Sequence, residues 1–383
     1  MIPLFKVYMP PTIDAEMSKV LHSGYVAEGD YVRLFERRMQ KLMFNEKVLT
    51  TNSCTSALHL ALKLSDVGVG DAVITTSMTC LATNVSITNM SAIPIWADVD
   101  PLHGMLTPET LERALKYAGA TLPGSKVKAV IHVCWGGDLG PIEEVYAVCK
   151  KYDVKLIIDA AQAFGARYNL GQNVLGDGTC GDFVCFSFQA IKHITTGDGG
   201  AIAFADENDF KRAFKLKWFG IDREGFRTPS GEINWTSDVP EVGYKFHMNN
   251  IAGVIGAEQL NPANDFQTRL NTYFLNDVIL RDALEENTPL VRTWRKGTAA
   301  WVSTFWAPDP IELLGHLKTK DIHSSQMHVN NDVYTGFKGA HASCELVGVK
   351  EFMAHHICIP CGWWLSEEDG DNLIESIMEF YKQ

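Results

Sequence analysis

The chain has 383 residues, 46% hydrophobic and 21% charged, with a formal net charge of −12 at pH 7. Such a composition belongs to a globular protein, long enough for a large core and about two domains. The negative charge repels phosphate at long range, which argues against nucleic acid or an anionic membrane as the main partner, and no apolar run is long enough to span a bilayer.

Residues 14–23 read as a helix, and Ser23–Asp30 as a glycine-bearing loop. A second helix over Tyr31–Phe44 sets Val32, Phe35, Met39, Leu42 and Met43 on one face. The short strand Val48–Thr51 runs into Asn52-Ser53-Cys54-Thr55-Ser56. Small hydroxyl residues at a helix start serve either as a plain N-cap or, through exposed N–H groups, as an anion site. Ala72–Thr75 is a strand, and Thr76–Asn84, which contains Cys80, leads into a helix. Ile93–Trp96 and Val127–Cys134 are further strands. Thr107-Pro108 opens a helix between them, and Ile142–Tyr152 is another helix.

The most informative stretch is 155–204. The apolar run Lys155–Ile158 ends at Asp159, with Gln162 three residues on. A second run, Phe183–Phe186, ends at Ser187, with Lys192 five residues beyond. A glycine-rich turn, Thr195–Gly200, precedes a third run, Ala201–Phe204. Ligands of open α/β sheets bind outside the carboxyl ends of the strands. Asp159, Ser187 and Lys192 sit at such ends and together suit pyridoxal phosphate (PLP). The lysine holds the aldehyde as a Schiff base, the aspartate keeps the pyridine nitrogen protonated, and the hydroxyl beside backbone N–H groups receives the phosphate.

Past this stretch, Phe210–Trp218 is helical. Gly220–Gly243 is polar and aperiodic, fit for a lid or a dimer contact, and a helix of small residues ends at Leu260. Residues 261–383 read as a second domain. It has a strand over Trp301–Trp306, a helix over Pro310–Lys318 and a terminal helix opened by Ser366. The nine cysteines suit a reducing cytoplasm, and no signal peptide is expected. Cys358-Ile359-Pro360-Cys361, with His355 and His356 before it, has no second C-x-x-C to complete a zinc site, so no metal is expected. Strands alternating with helices imply an α/β fold, a mostly parallel sheet with helices on both faces.

The ordered set Asp159-x-x-Gln162, then Ser187-Phe188-x-x-x-Lys192 with Gly197, Gly199 and Gly200 downstream, resembles the DegT/StrS-type sugar aminotransferases. The resemblance implies the type I fold of PLP-dependent transferases, with a large PLP-binding domain over 1–260 and a smaller C-terminal α+β domain over 261–383. It implies that Ser53-Cys54-Thr55 cradles the PLP phosphate, with Cys54 in place of the family's glycine, and that Gln162 meets the ring side near its phenolic oxygen. Cys80 stands where the family often stacks an aromatic on the ring; a core cysteine is the alternative. Lys245, in Gly243-Tyr244-Lys245-Phe246-His247-Met248, matches a residue that reaches the partner's cofactor phosphate, which implies a homodimer with shared sites. His328 and Asn331 match a segment bordering the substrate, and Trp364 either stacks on a sugar or packs the small domain. The implied reaction is ping-pong transamination, from glutamate or glutamine to a keto sugar that is nucleotide-linked in most of the family, in amino-sugar and polysaccharide biosynthesis.

Three other functions stay open. A smaller, non-nucleotide keto substrate would suit a tail that departs from the sugar-nucleotide pattern. A PLP-dependent sugar dehydratase replaces the active-site lysine with histidine, whereas here Lys192 is present and His193 only adjoins it. A non-catalytic binding or regulatory protein would not need the full Asp159–Ser187–Lys192 set. A nicotinamide enzyme would need G-x-G-x-x-G early in the chain, and Asn52–Leu58 contains no glycine.

Overall fold

A computed structural model describes residues 1–122, 124–169, 171–223, 225–292 and 298–382. Among them, the first nine strands are β1 (Val48–Thr51), β2 (Ala72–Thr75), β3 (Ile93–Trp96), β4 (Val127–Val133), β5 (Lys155–Asp159), β6 (Arg167–Tyr168), β7 (Asn173–Val174), β8 (Phe183–Ser187) and β9 (Gly200–Phe204). The remaining four are β10 (Val291–Arg292), β11 (Ser303–Trp306), β12 (His341–Ala342) and β13 (His356–Ile359).

Eight of these form the main sheet, in the order β1-β9-β8-β5-β4-β2-β3-β12. Every neighbouring pair is parallel except the two made by β9, which runs antiparallel to β1 and β8. The connection 188–199 carries no helix to cross back over the sheet, so β9 returns beside β8 in the opposite sense. The expected α/β fold with a mostly parallel sheet is the one observed.

The strands read as unbroken apolar runs because both faces of the sheet are covered. Their side chains alternate between two cores. Leu156, Ile158, Val184, Phe186 and Ala201 join one, together with Phe35, Leu111 and Val145 from the helices Asp30–Met43, Pro108–Thr121 and Ile142–Lys151. Ile157, Phe183, Cys185 and Ile202 join the other, with Leu58, Ile87 and Ala213 from the helices Cys54–Leu64, Leu81–Asn89 and Glu207–Leu216. The expected caps are present: Ser53 accepts from the Ser56 N–H, and Thr107 and Thr110 form a reciprocal capping box with Pro108 behind it.

The C-terminal residues build a three-stranded antiparallel sheet, β10-β11-β13. Phe305, Ile357 and Ile359 pack there with Leu280, Leu313 and Leu373 of the flanking helices. The expected strand over Trp301–Trp306 starts two residues later, at Ser303. The preceding turn is held elsewhere: the N–H groups of Ala299 and Trp301 donate to the carbonyls of Gly137 and Gly136. Two ties cross the chain. Ile2 bridges Ile322, and β12 adds itself in parallel to β3 at the edge of the main sheet.

Candidate active site

The carboxyl ends of β4, β5 and β8 and the start of the helix Cys54–Leu64 open on one cavity of about 280 Å³. Because β9 runs backwards, its first residue, Gly200, lies beside Ser187 at the same end of the sheet, and Gly199 just before it lines the cavity.

Asp159 closes β5 and is 5% exposed. Its Oδ2 accepts from Thr83 Oγ1 at 2.6 Å and its Oδ1 from the Ala161 N–H at 3.1 Å. Burial raises its pKa; the Thr83 and Ala161 donors and the nearby Lys192 charge pull the other way. A carboxylate so desolvated and so fixed is suited to a cationic N–H partner across the cavity.

Lys192 lies in the 188–199 turn and is half-buried. Burial lowers its amine from the usual 10.5 to about 8, while Cys80, Asp159 and Cys54 act in the opposite direction. Its Nζ sits 3.6 Å from the centroid of the Trp301 ring.

Gln162 ties the Gly136 turn to His328. Its Oε1 accepts from the Gly136 N–H at 2.7 Å, so its amide nitrogen donates toward His328 Nε2 at 3.1 Å. That leaves the His328 proton on Nδ1. Burial, and then the Lys192 and His356 charges, push His328 down to about 4, so the ring is neutral. His328 also has a φ of 62°, a left-handed backbone uncommon for a residue other than glycine.

The candidate anion cradle is built from close backbone approach. Ser53 caps the helix, and Cys54 and Thr55 provide its first turn at the cavity wall. Ser187 ends β8 on the other side, its Oγ accepting from the Gln189 N–H at 3.3 Å. A Cβ on Gly200 would lie 2.4–2.6 Å from the Ser53 carbonyl and the Cys54 nitrogen. Gly200→Ala is therefore expected to push the helix start away from the cavity. It should cost about 1–3 kcal/mol and weaken inorganic phosphate binding, read by thermal melts with and without phosphate.

Cys80 stands just before the helix Leu81–Asn89, lining the same cavity, and is exposed. Lys245 is not brought in. Its side chain is exposed, and its carbonyl accepts from Asn52 Nδ2 at 3.3 Å beside the cradle. Asn331 is fully buried outside the cavity wall. Its amide donates to the carbonyls of Thr79 and Val329 and its Oδ1 accepts from Asn84, so it fastens the 76–84 loop. Trp364 packs in the smaller core, its Nε1 donating to the Pro3 carbonyl at 3.0 Å. Cys358 and Cys361 are buried, and no cluster of three metal-ligating side chains occurs among the described residues.

Two residues with a direct hand in the site were not singled out from sequence. Thr83 meets Asp159 across 76 positions, and nothing local marks it. Trp301 was absorbed into a strand; the Gly136-Gly137 pair that receives its turn was the available signal.

The donor set fits pyridoxal phosphate: one amine, one buried carboxylate facing it, and a helix N-terminus with hydroxyls for an anion. Fold and site together define the class of the PLP-dependent transferases. The family model of the DegT/DnrJ/EryC1/StrS aminotransferase family matches residues 9–378, and the chain belongs to that family. The sugar aminotransferase CalS13 of Micromonospora echinospora superposes with a TM-score of 0.87 at 30% identity, over 99% of this chain and 100% of that one. AtS13 of Actinomadura melliaura gives 0.88 at 28% identity, over 99% and 98%. Spore coat polysaccharide biosynthesis protein SpsC of Bacillus subtilis is 31% identical over 254 residues, which is 66% of this chain and 62% of SpsC. An uncharacterized protein of Methanocaldococcus jannaschii is 32% identical over 254 residues, which is 66% of this chain and 63% of that protein. The matched stretch thus spans less than two thirds of these two relatives. No helix among the described residues is long and apolar enough to cross a membrane.

Proposed function

We propose that this chain is a PLP-dependent aminotransferase that moves an amino group from glutamate or glutamine to a nucleotide-linked keto sugar, for amino-sugar or polysaccharide biosynthesis. The observation that carries it is the pairing, in one cavity, of the Lys192 amine, lowered by burial to about 8, with the buried carboxylate of Asp159. When bound, pyridoxal phosphate supplies an electron sink that makes a donor α-proton removable. Lys192 Nζ takes that proton as a neutral amine and hands it on, which a lysine at its ordinary pKa does poorly near neutrality. Asp159 holds its charge against the ring nitrogen. Ser187 and the Ser53–Thr55 turn would hold the phosphate, and Gln162 would meet the ring side.

Residues 1–260 make the cofactor-binding lobe in this reading, and residues 261–383 the smaller lobe that brings His328 and Trp301 to it. Cys80 and His328 both line the cavity, where Cys80 would face the ring and His328 the acceptor. Lys245, exposed beside the cradle, reaches a second copy's phosphate in a homodimer. The nine cysteines, none of them in a disulfide, support a cytoplasmic location.

The test is an absorbance spectrum of the protein with PLP before and after L-glutamate, with no acceptor added. Conversion of the yellow band to the pyridoxamine form is expected. A band that neither glutamate nor glutamine alters would overturn the reaction, and no band at all would bring the binding-protein alternative forward.

A further inference from the structure

The turn carrying Trp301 is fixed from several sides. Ala300 has a φ of 46°, an unfavourable left-handed backbone for a residue with a Cβ. Its N–H donates to Thr298 Oγ1 at 2.8 Å, and its carbonyl accepts from Cys361 Sγ at 3.1 Å. The Trp301 N–H donates to the Gly136 carbonyl at 2.9 Å, and a Cβ on Gly137 would lie 2.8 Å from the Trp301 nitrogen. The ring is pinned as well. Its Nε1 donates to the Ile191 carbonyl, next to Lys192, at 2.9 Å. Phe5 stacks on it with centroids 4.6 Å apart and planes inclined by 21°. That spacing leaves no room for an amine between the rings, so Lys192 Nζ, 3.6 Å from the centroid, occupies the opposite face.

We propose that Trp301 is a positioning residue whose ring face holds the free amine of Lys192, and favours it as an ammonium, whenever that amine is not bonded to an aldehyde. An aromatic face attracts a cation and does little for a neutral amine, most strongly for tryptophan and for a desolvated cation. The other titratable groups facing Lys192 are Asp159 from β5, Cys54 and Cys80 from two helix starts, His328 from the second lobe, and the adjacent His193. Of these Cys80, Asp159 and Cys54 also favour the ammonium, while both histidines are held neutral by burial.

The consequence for turnover rests on the aminotransferase reading above. The Nζ lone pair accepts the donor's α-proton, and the carbon–hydrogen electron pair stays on the substrate side. The ammonium so formed waits on the Trp301 face and then gives up the same proton. The ring thus stabilises the charged state of the proton carrier and stops it from swinging into solvent.

The test uses the full chain prepared without PLP. Brief pulses of an amine-reactive acylating reagent across a pH series, with mass spectrometry of the Lys192 peptide, give the midpoint of that amine. Trp301→Leu is expected to lower the midpoint by about one unit, a roughly tenfold loss of ammonium at a fixed pH above it. Trp301→Phe, which keeps a weaker face and most of the volume, is expected to lower it less. An unchanged or raised midpoint in Trp301→Leu overturns the proposal, and if that variant does not fold, the same result in Trp301→Phe does. Labelling needs no turnover. A lowered midpoint in a protein that glutamate fails to convert would leave the Trp301 role standing and sink the aminotransferase reading alone.

Discussion

Lys192→Ala is expected to abolish transamination, lowering turnover by roughly 10⁴-fold or more, with the far-ultraviolet circular dichroism unchanged. Among the described residues that line the cavity, Lys192 supplies the only amine, so nothing nearby can take over the proton. Removing a half-buried ammonium relieves a desolvation cost, and the melting temperature should hold or rise slightly. Steady-state assay beside a thermal melt checks both halves, and retained turnover would remove Lys192 from the reaction. The same amine gives a pH prediction. An amine at about 8 is mostly protonated at neutrality, and only the neutral form attacks an aldehyde. Capture of PLP by the cofactor-free protein should therefore quicken about tenfold per pH unit below 8 and level off above it. A rate that keeps climbing toward the ordinary lysine range contradicts the burial argument.

Asp159→Asn is the second large effect. The amide keeps the shape of the carboxylate, and its oxygen still accepts one of the bonds from Thr83 or Ala161. PLP should remain bound, because its phosphate is held elsewhere. The lost quantity is the negative charge that keeps the ring nitrogen protonated. Both half-reactions are expected to slow by about 10²–10³-fold, as when a preorganised charge partner is removed from a dry site. Single-turnover absorbance with glutamate, and in reverse with a keto acid, measures each half. An unchanged rate in either direction would take Asp159 out of the electronic role.

Much of the candidate site was legible in the sequence because its residues stand at strand ends. Asp159 and Ser187 terminate apolar runs whose ends are visible as a change of residue type, and Lys192 follows at fixed spacing. The helix start at Ser53 was equally plain, since hydroxyl residues there have a local job as caps. The rest was hidden for physical reasons. Strand direction leaves no mark in an apolar run, so the reversal of β9, which brings Gly199 to the cavity, had no local sign. β12 is two residues long and exists only because β3 offers it an edge. Thr83 and Trp301 act through contacts made 76 and 110 positions away. Asn331 was a substrate candidate through the segment it shares with His328; in the structure its amide donates to the Thr79 and Val329 carbonyls, a network of contacts distant in sequence that no local pattern marks.

The tie between β12 and β3 has a consequence during synthesis. A ribosome makes about 5–20 residues per second, and domains tend to fold as their residues emerge. β3 lies before residue 100 and its edge partner after residue 340. The outer edge of the main sheet therefore stays open for an interval on the order of tens of seconds. Ile2 meanwhile waits for Ile322. An unpaired edge is where chains join one another, so newborn copies crowded on one messenger are most at risk of sticking together in that window. Fusions or truncations that remove the last fifth of the chain should yield aggregates rather than a smaller folded unit.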